Sequence, residues 1–196
     1  MSINLETITE PLVTSLIFPE TKERLSHQKA MRYMKDVEFH AQNHSKEATT
    51  KVGALVIGPT DDPRSTGYNG AVRGSSADVD WRINARPEKY NWISHAEENA
   101  ICNAARSGAK LYNSIMFTTH FPCINCARLI VQSGIKMVIS AAPDKHFMDR
   151  WEESVSRSVT MFGEARVGAW ILMPDHFASA HEIIVPFAIN RRGVIS

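Results

Sequence analysis

The chain has 196 residues, of which 43% are apolar and 22% charged, and this composition is typical of a globular domain with a buried core. A formal net charge of +1 argues against a broad basic surface, so we expect neither a nucleic acid nor a membrane surface as a partner. A small anionic ligand needs only a few local cations and is compatible with this charge. No run of about 18 apolar residues is present, so no membrane span is predicted. The early acidic residues and the missing basic segment argue against a secretory leader, and we expect a cytoplasmic protein.

The N-terminal part of the chain predicts an extension, a helix and a strand. Residues 1–25 show weak hydrophobic patterning, and we interpret them as an N-terminal extension. Apolar side chains at helical spacing then predict a helix that begins after an N-cap at Ser26 and ends near Asn43. The run KVGALVIG over 51–58 is rich in β-forming residues and ends before a Gly-Pro pair, which predicts a buried strand.

Two less regular segments follow this strand. Residues 59–74 are rich in Gly, Asp and Asn, so they predict turns, with a tight turn at Asn69-Gly70. Residues 75–93 mix polar and aromatic side chains without a clear period. We therefore predict a long surface segment there.

Residues 94–107 predict the next helix. Ser94 is suited to the N-cap position, Glu97 three residues later completes a capping box, and Gly108 is suited to ending the helix. Helix-end preferences by themselves explain an acid at position 97, so a catalytic role for it needs further evidence.

The rest of the chain alternates between strands and helices. The predictions are a strand over 113–120, a helix over 122–134, a strand over 135–141, a helix over 145–162 and a strand over 165–173. Such an alternation predicts an α/β fold in which helices cover a sheet. We expect one domain over 26–173 and a C-terminal extension over 174–196, in which the run EIIVPFA is a strand without an assigned place.

One imidazole and two thiolates, from His95, Cys123 and Cys126, form a ligand set suited to zinc. A C-x-x-C pair in the first turn of a helix brings both sulfurs to one side, where free N–H groups favour thiolates. Three protein ligands leave a fourth position open, as in catalytic zinc sites. His120 is the alternative fourth ligand, and we expect it not to bind. Cys102 lies roughly 10 Å from His95 along the same helix, too far to share the metal.

Glu97 is placed to reach a water in the open position of such a site. It lies two residues after His95 and so projects from a different side of the helix, which suits proton transfer better than metal binding. Zinc lowers the pKa of a water in that position to about 7, and a nearby carboxylate can take its proton and deliver it elsewhere. We interpret Glu98, in contrast, only as an acid that compensates the helix dipole. The zinc ligand set together with Glu97 indicates hydrolysis at an electrophilic carbon.

The pattern H-x-E followed by P-C-x-x-C resembles the signature of the zinc-dependent cytidine and deoxycytidylate (dCMP) deaminases. It is found here as His95-Ala96-Glu97 and as Pro122-Cys123-Ile124-Asn125-Cys126. Further segments, KVGALVI, TGYNGAVRG, ADVDWR, KYNWISHAEENAI and FPCINCARLIVQSGIKMVI, look like the dCMP deaminase branch and cover about residues 46–140. The resemblance implies a cytidine-deaminase-like three-layer α/β/α fold around a mixed sheet of about five strands.

The resemblance also implies a reaction, the hydrolysis of dCMP to dUMP and ammonia, which supplies dUMP for thymidylate synthesis. In that reaction His95, Cys123 and Cys126 bind one zinc per chain, and Glu97 carries protons to the ring nitrogen N3 and to the leaving amine. Contacts with the substrate are implied for the Asn69 side chain and the Ala96 backbone N–H, and a lining or closing role for Tyr90 and Trp81. Candidate cations for the 5′-phosphate are Lys51, Arg73, Arg82, Arg86 and Lys89, and the sequence does not choose among them.

Two features of the sequence depart from the family. Val72 stands where many members have a proline, which predicts a less rigid loop. Residues 75–92 contain no cysteine or histidine, so we predict no second zinc of the kind that some members bind there. The resemblance further implies a homo-oligomer, often a hexamer, with dCTP as activator and dTTP as inhibitor together with Mg²⁺.

Two other functions are compatible with the same ligand set. The first is a sister deaminase that acts on dCTP or on adenosine in tRNA, although a net charge of +1 argues against an RNA substrate. The second is a non-enzymatic structural zinc module, which needs a fourth protein ligand and leaves Glu97 without a role.

Overall fold

The computed structural model describes residues 16–17, 24–76, 79–143, 145–172 and 183–184. Ten strands and six helices lie in these ranges. The strands are β1 (Leu16–Ile17), β2 (Arg24–Leu25), β3 (Gly53–Ile57), β4 (Pro63–Tyr68), β5 (Gly70–Ala71), β6 (Ile93–Ser94), β7 (Ile115–Thr118), β8 (Met137–Ala141), β9 (Gly168–Leu172) and β10 (Ile183–Ile184). The helices are α1 (His27–His44), α2 (Asp80–Ile83), α3 (Lys89–Trp92), α4 (Ala96–Ser107), α5 (Ile124–Gln132) and α6 (Lys145–Ala165).

A mixed sheet with the strand order β10-β9-β8-β7-β3-β4 forms the centre of the molecule. Strands β7, β8 and β9 run parallel to one another, and β3 runs antiparallel to both β4 and β7. The predicted mixed sheet of about five strands is confirmed, with the two-residue strand β10 added antiparallel to β9. Strand β10 contains part of the run EIIVPFA, which the sequence left without a place.

Helices cover both faces of this sheet, which confirms the predicted three layers. Side chains alternate between the two faces along each strand. Phe117 and Ile139 pack with α1 on one face, whereas Met116 and Val138 pack with α4, α5 and α6 on the other. Because both faces are covered, the central strands are continuous apolar runs, and β3 and β7 are buried throughout.

Helix α1 confirms the predicted helix almost to the residue. The Ser26 side chain accepts a hydrogen bond from the Lys29 backbone N–H at 3.2 Å and so forms the predicted N-cap. Met34, Val37 and Ala41 are buried on its inner face. No helix in the described part of the chain combines the length and the apolar character that crossing a bilayer requires.

The turns predicted for residues 59–74 are wrong over much of that segment. Pro63–Tyr68 forms the edge strand β4, which pairs with β3 in the register Ala54↔Gly67. Most of its side chains are polar and at least partly exposed, so the apolar alternation of a half-buried strand is missing. Asn69 does not form a tight turn either, because the chain continues into β5, where Gly70 pairs with Ser94.

Gly67 brings the backbone of α4 directly against β4. A Cβ atom at this position would lie 2.2 Å from the carbonyl oxygen of Ala96 and 2.4 Å from the backbone nitrogen of Ala100. Both atoms belong to the main chain of α4 and cannot move aside as a flexible side chain can. The glycine therefore fixes how closely this helix approaches the sheet.

We expect Gly67→Ala to destabilise the fold by about 1–3 kcal/mol, because overpacking displaces the α4 backbone. The free energy of unfolding in urea measures this loss. Gly70→Ala is the matched control, since a Cβ atom there would lie 3.6 Å from the Tyr68 ring, in ordinary contact. Equal unfolding midpoints for the two variants would contradict the close approach.

Candidate active site

His95, Cys123 and Cys126 lie together where two helices begin. His95 immediately precedes α4, Cys123 immediately precedes α5, and Cys126 lies in the first turn of α5. His95 Nδ1 is 3.4 Å from Cys123 Sγ and 3.5 Å from Cys126 Sγ. Tetrahedral zinc, with bonds of about 2.0–2.3 Å, places its N and S ligand atoms about 3.6 Å apart, so the three residues fit the metal.

The charges of the three residues also suit a cation. Hydrogen bonding from Cys126, together with that from His95, lowers the pKa of Cys123 to about 4 against the effect of burial. Hydrogen bonding to Cys123 raises the pKa of His95 to about 9. Hydrogen bonding to Cys123 and burial both raise the pKa of Cys126. The imidazole and the two thiols contact one another with little access to water, and a dication bound between them would satisfy all three.

Within the described residues, the group of potential metal ligands holds these three residues and no fourth. His120 lines the adjacent pocket and contacts the Phe147 ring, with ring centroids 5.2 Å apart, but it does not join the ligand group. Cys102, predicted to lie too far from His95 to share the metal, is exposed and is not in the ligand group. The described part of the chain thus leaves one coordination position open for a water or a substrate.

The start of α4 differs from the prediction by one residue. Ser94 is not the N-cap, because its pairing with Gly70 holds it in strand β6. His95 occupies the N-cap position instead, and its backbone N–H donates to Glu98 Oε2 at 3.3 Å. Glu98 therefore takes the capping role that the sequence assigned to Glu97. This shift leaves the Glu97 carboxylate available to the pocket.

Glu97 lines the same pocket as His95 and Cys123. Its side chain is 3% exposed, and burial raises the pKa of its carboxyl group. A buried carboxyl group with a raised pKa is suited to taking up a proton and passing it on. The arrangement provides a metal position and a proton carrier in one cavity.

The pocket beside the cluster is a partly enclosed cleft that opens to solvent. Predicted site residues that line it are Asn69, Arg86, Lys89, Tyr90, His95, Ala96, Glu97 and Cys123. Residues that line it without having been predicted include Glu47, Thr50, Phe147, Arg150 and Trp151.

Four other predicted substrate residues lie outside this pocket. The Lys51 ammonium group donates to the Gln42 carbonyl oxygen at 2.9 Å. The Arg82 guanidinium group stacks between two indole rings, 4.7 Å from Trp81 and 4.0 Å from that of Trp92. Arg73 lines a second cleft, formed mainly by residues 68–75 and 44–47, with Asn99 and Asn103 of α4.

Asn69 is buried in a polar network at the inner end of the pocket. Its amide NH₂ group donates to Glu47 Oε2 at 2.6 Å and to the Thr50 carbonyl oxygen at 2.7 Å. Its Oδ1 atom accepts from Ser45 Oγ and from the Val52 backbone N–H, each at 2.8 Å. These four bonds use both donors and both acceptor positions of the amide and fix the side chain in place.

Lys89 is neutralised by a buried partner that the sequence gave no reason to select. Its ammonium group forms an ion pair with Glu47 Oε1, and the two residues are 7% and 4% exposed. The pair joins two segments far apart in the chain, so no local pattern marks it. The only available signal is that an acid and a base both lie in segments bordering the predicted site.

We expect Lys89→Met to destabilise the protein by about 3–5 kcal/mol, because it leaves the Glu47 carboxylate buried without its cation. The double variant Glu47→Gln/Lys89→Met removes the stranded charge and should recover most of that loss. Chemical unfolding measures both, with Lys51→Met as a control for losing a more exposed lysine. A double variant as unstable as the single one would contradict this account.

Comparisons with known proteins agree with the geometry. Residues 26–142 match the family model described as the cytidine and deoxycytidylate deaminase zinc-binding region. The chain is 41% identical over 125 residues to the uncharacterized deaminase of the luxG 3′ region of Aliivibrio fischeri, covering 63% of this chain and 80% of that protein. It is 36% identical over 132 residues to deoxycytidylate deaminase of Homo sapiens, covering 65% of this chain and 73% of the human protein.

Solved structures show the same fold. The dCMP deaminase of cyanophage S-TIM5 in complex with dCMP and dUMP matches with a TM-score of 0.59 at 24% identity, covering 76% of this chain and 99% of that one. Its apo form matches with a TM-score of 0.51 at 28% identity, covering 66% and 94%. The recognised resemblance is confirmed by the family match over more than half of the chain. The chain belongs to the family of the cytidine and deoxycytidylate deaminase zinc-binding region.

Proposed function

We propose that this protein is a zinc-dependent hydrolase that converts dCMP to dUMP and ammonia. The observation that carries the proposal is the three-residue ligand cluster with Glu97 in the same buried pocket. The relation to human deoxycytidylate deaminase, at 36% identity, favours dCMP among the cytosine nucleotides. The product dUMP would then supply thymidylate synthesis.

His95, Cys123 and Cys126 would hold the zinc ion, which would supply an activated water at neutral pH. Glu97 takes a proton from this water and delivers it to N3 of the pyrimidine. A bond forms between oxygen and C4, and the bond between C4 and the amine nitrogen then breaks. Glu97 passes the second proton to the departing amine, so that water provides the oxygen and both hydrogens of the overall reaction.

The remaining pocket residues orient the base. Ala96 is the first residue of α4, where backbone N–H groups have no acceptor within the helix, and it is suited to donating to the pyrimidine carbonyl. Asn69 lines the pocket, and the contact with the sugar or base predicted for it requires the substrate to replace one of its four protein partners. Tyr90 lies on the pocket wall, whereas Trp81, with an exposed ring, does not line it.

Ammonia release by the purified, zinc-loaded protein tests the proposal. Substrates are dCMP, dCTP, deoxycytidine and an RNA hairpin with an exposed adenosine, each assayed before and after treatment with a chelator. We expect the highest kcat/KM for dCMP, loss of activity after chelation and recovery with added zinc. Preference for dCTP or RNA would favour the sister deaminases, and no turnover of any cytosine nucleotide would refute the proposal.

Other implications of the family stay predictions for this chain. They are a single zinc per chain, a hexameric or other homo-oligomeric assembly, control by dCTP and dTTP with Mg²⁺, a cytoplasmic location and the domain limits 26–173. The second cleft, which contains Arg73 and Lys46, provides cations for an anionic effector. Native mass spectrometry with and without dCTP and Mg²⁺ tests the assembly and the effector together.

A further inference from the structure

One wall of the pocket comes from α6, which lies beyond the segment matched by the family model. Phe147, Arg150 and Trp151 are spaced three and four residues apart, so they share one face of this helix. All three line the pocket. The Trp151 ring lies 6.2 Å from the His95 ring at an angle of 83° and 6.4 Å from the Phe147 ring. This face of α6 is therefore directly beside a candidate metal ligand.

A hydrogen bond fixes α6 against the helix that carries both cysteines. Ser154, one turn beyond Arg150 on the same face, accepts at its Oγ from the Ile124 backbone N–H at 3.0 Å. Ile124 is the first residue of α5 and follows Cys123 directly. Further along α6, Val159 and Phe162 are buried in the core. The backbone at Arg150 thus has a fixed position relative to the cluster, although its side chain is exposed.

Three lysine or arginine residues line the pocket, and they differ in what neutralises them. Lys89 is buried and paired with Glu47. Arg86 and Arg150 are exposed, on two separate segments of the pocket's rim. In the described part of the chain, neither guanidinium group has an ion pair or a hydrogen-bond partner. These two cations are the ones available to an anionic ligand.

The depth of the pocket determines the orientation of a bound cytosine nucleotide. The C4 atom of the base must reach the buried end of the pocket, beside His95 and Glu97. The sugar and the 5′-phosphate therefore extend toward the exposed rim. A guanidinium group binds a phosphate through two parallel hydrogen bonds, which an ammonium group cannot reproduce. The exposed rim is where Arg86 and Arg150 lie.

We propose that Arg150, together with Arg86, binds the 5′-phosphate and is the residue by which the site selects a nucleotide over a nucleoside. This inference rests on the proposed deamination of a cytosine nucleotide. It assigns phosphate selection to a residue of α6, whereas the phosphate-binding candidates that the sequence offered all precede His95 in the chain.

Arg150→Gln tests this assignment through the ratio of kcat/KM for dCMP to that for deoxycytidine, measured on the same zinc-loaded preparation. We expect the ratio to fall about 10- to 100-fold, mainly through a higher KM for dCMP, because a hydrogen-bonded ion pair is lost. Arg150→Lys should recover only part of the ratio, since a point charge replaces a two-pronged contact. Arg157→Gln is the matched control, as Arg157 lies on the same helix with an exposed side chain paired to Glu153.

An unchanged ratio in Arg150→Gln, with dCMP and deoxycytidine affected alike, would overturn the assignment. Calorimetric binding of dUMP and deoxyuridine repeats the comparison without turnover. If the wild-type protein turns over no cytosine nucleotide, the proposed function fails, and this binding comparison still decides the role of Arg150. Selectively weaker dUMP binding in Arg150→Gln would support it, and equal dUMP affinity in wild type and variant would overturn it.

Discussion

Replacing Glu97 with Gln is expected to lower kcat for dCMP by about 10²- to 10⁴-fold while the protein keeps its zinc. The substitution preserves the size of the side chain but removes its capacity to accept a proton. Glu97 is buried in the pocket and makes no part of the ligand group, so metal content should not depend on it. Steady-state kinetics and elemental analysis of the same preparation measure the two quantities.

Glu98→Gln is the matched control, because this acid lies in the same helical turn and its replacement still offers an oxygen to the His95 N–H. We expect it to retain most of kcat. Loss of zinc in Glu97→Gln would assign the residue to metal binding instead of proton transfer. Full activity in that variant would remove it from the mechanism altogether.

Cys126→Ser is expected to lower zinc affinity by more than the roughly 10- to 100-fold that changes outside the ligand shell cause. Cys126 is 2% exposed and its Sγ atom lies 3.5 Å from His95 Nδ1, and the described residues offer no fourth ligand in the cluster to take its place. Zinc at 1,000 times its Kd stabilises a protein by about 4 kcal/mol, and the variant should lose this increment. Thermal unfolding with and without zinc, together with metal content after dialysis against a chelator, measures the effect.

Cys102→Ser serves as the control for this second prediction. Cys102 is an exposed thiol on α4, outside the ligand group. The Cys102→Ser variant should retain its zinc, the added stability that zinc provides and its turnover of dCMP. A Cys126→Ser protein that kept a full complement of zinc would mean that the metal is bound elsewhere.

Local patterns in the sequence were sufficient to predict the four longer helices, α1, α4, α5 and α6, and most strands of the main sheet, whereas the short helices α2 and α3 lie in the segment that was predicted only as a surface segment. Strands β3, β7 and β8 are continuous or nearly continuous apolar runs because both of their faces are covered, and that signal is strong. Strand β4 lacked it, since an edge strand with exposed polar side chains resembles a loop in its composition. The N-cap of α4 was predicted at Ser94 instead of His95, because strand pairing at Ser94 overrides the preference of serine for the N-cap position.

The chemistry of the site was predictable where it depends on residues spaced closely along the sequence. H-x-E and C-x-x-C indicate ligands and a proton carrier because each motif occupies a single helix turn. The Glu47–Lys89 pair and the Arg150–Trp151 wall depend on contacts between segments distant in the chain. No periodicity or spacing encodes such contacts, and only the folded arrangement brings those residues to the pocket.

The close contact at Gly67 has a consequence for how the metal is exchanged. It seats α4 on the sheet through main-chain atoms, while Ser154 anchors the start of α5, so both halves of the ligand set are held by packing that involves no metal. Small zinc modules, in contrast, fold only when the ion binds. Here the surrounding fold holds the ligands in place, so we expect the domain to remain folded when zinc is removed.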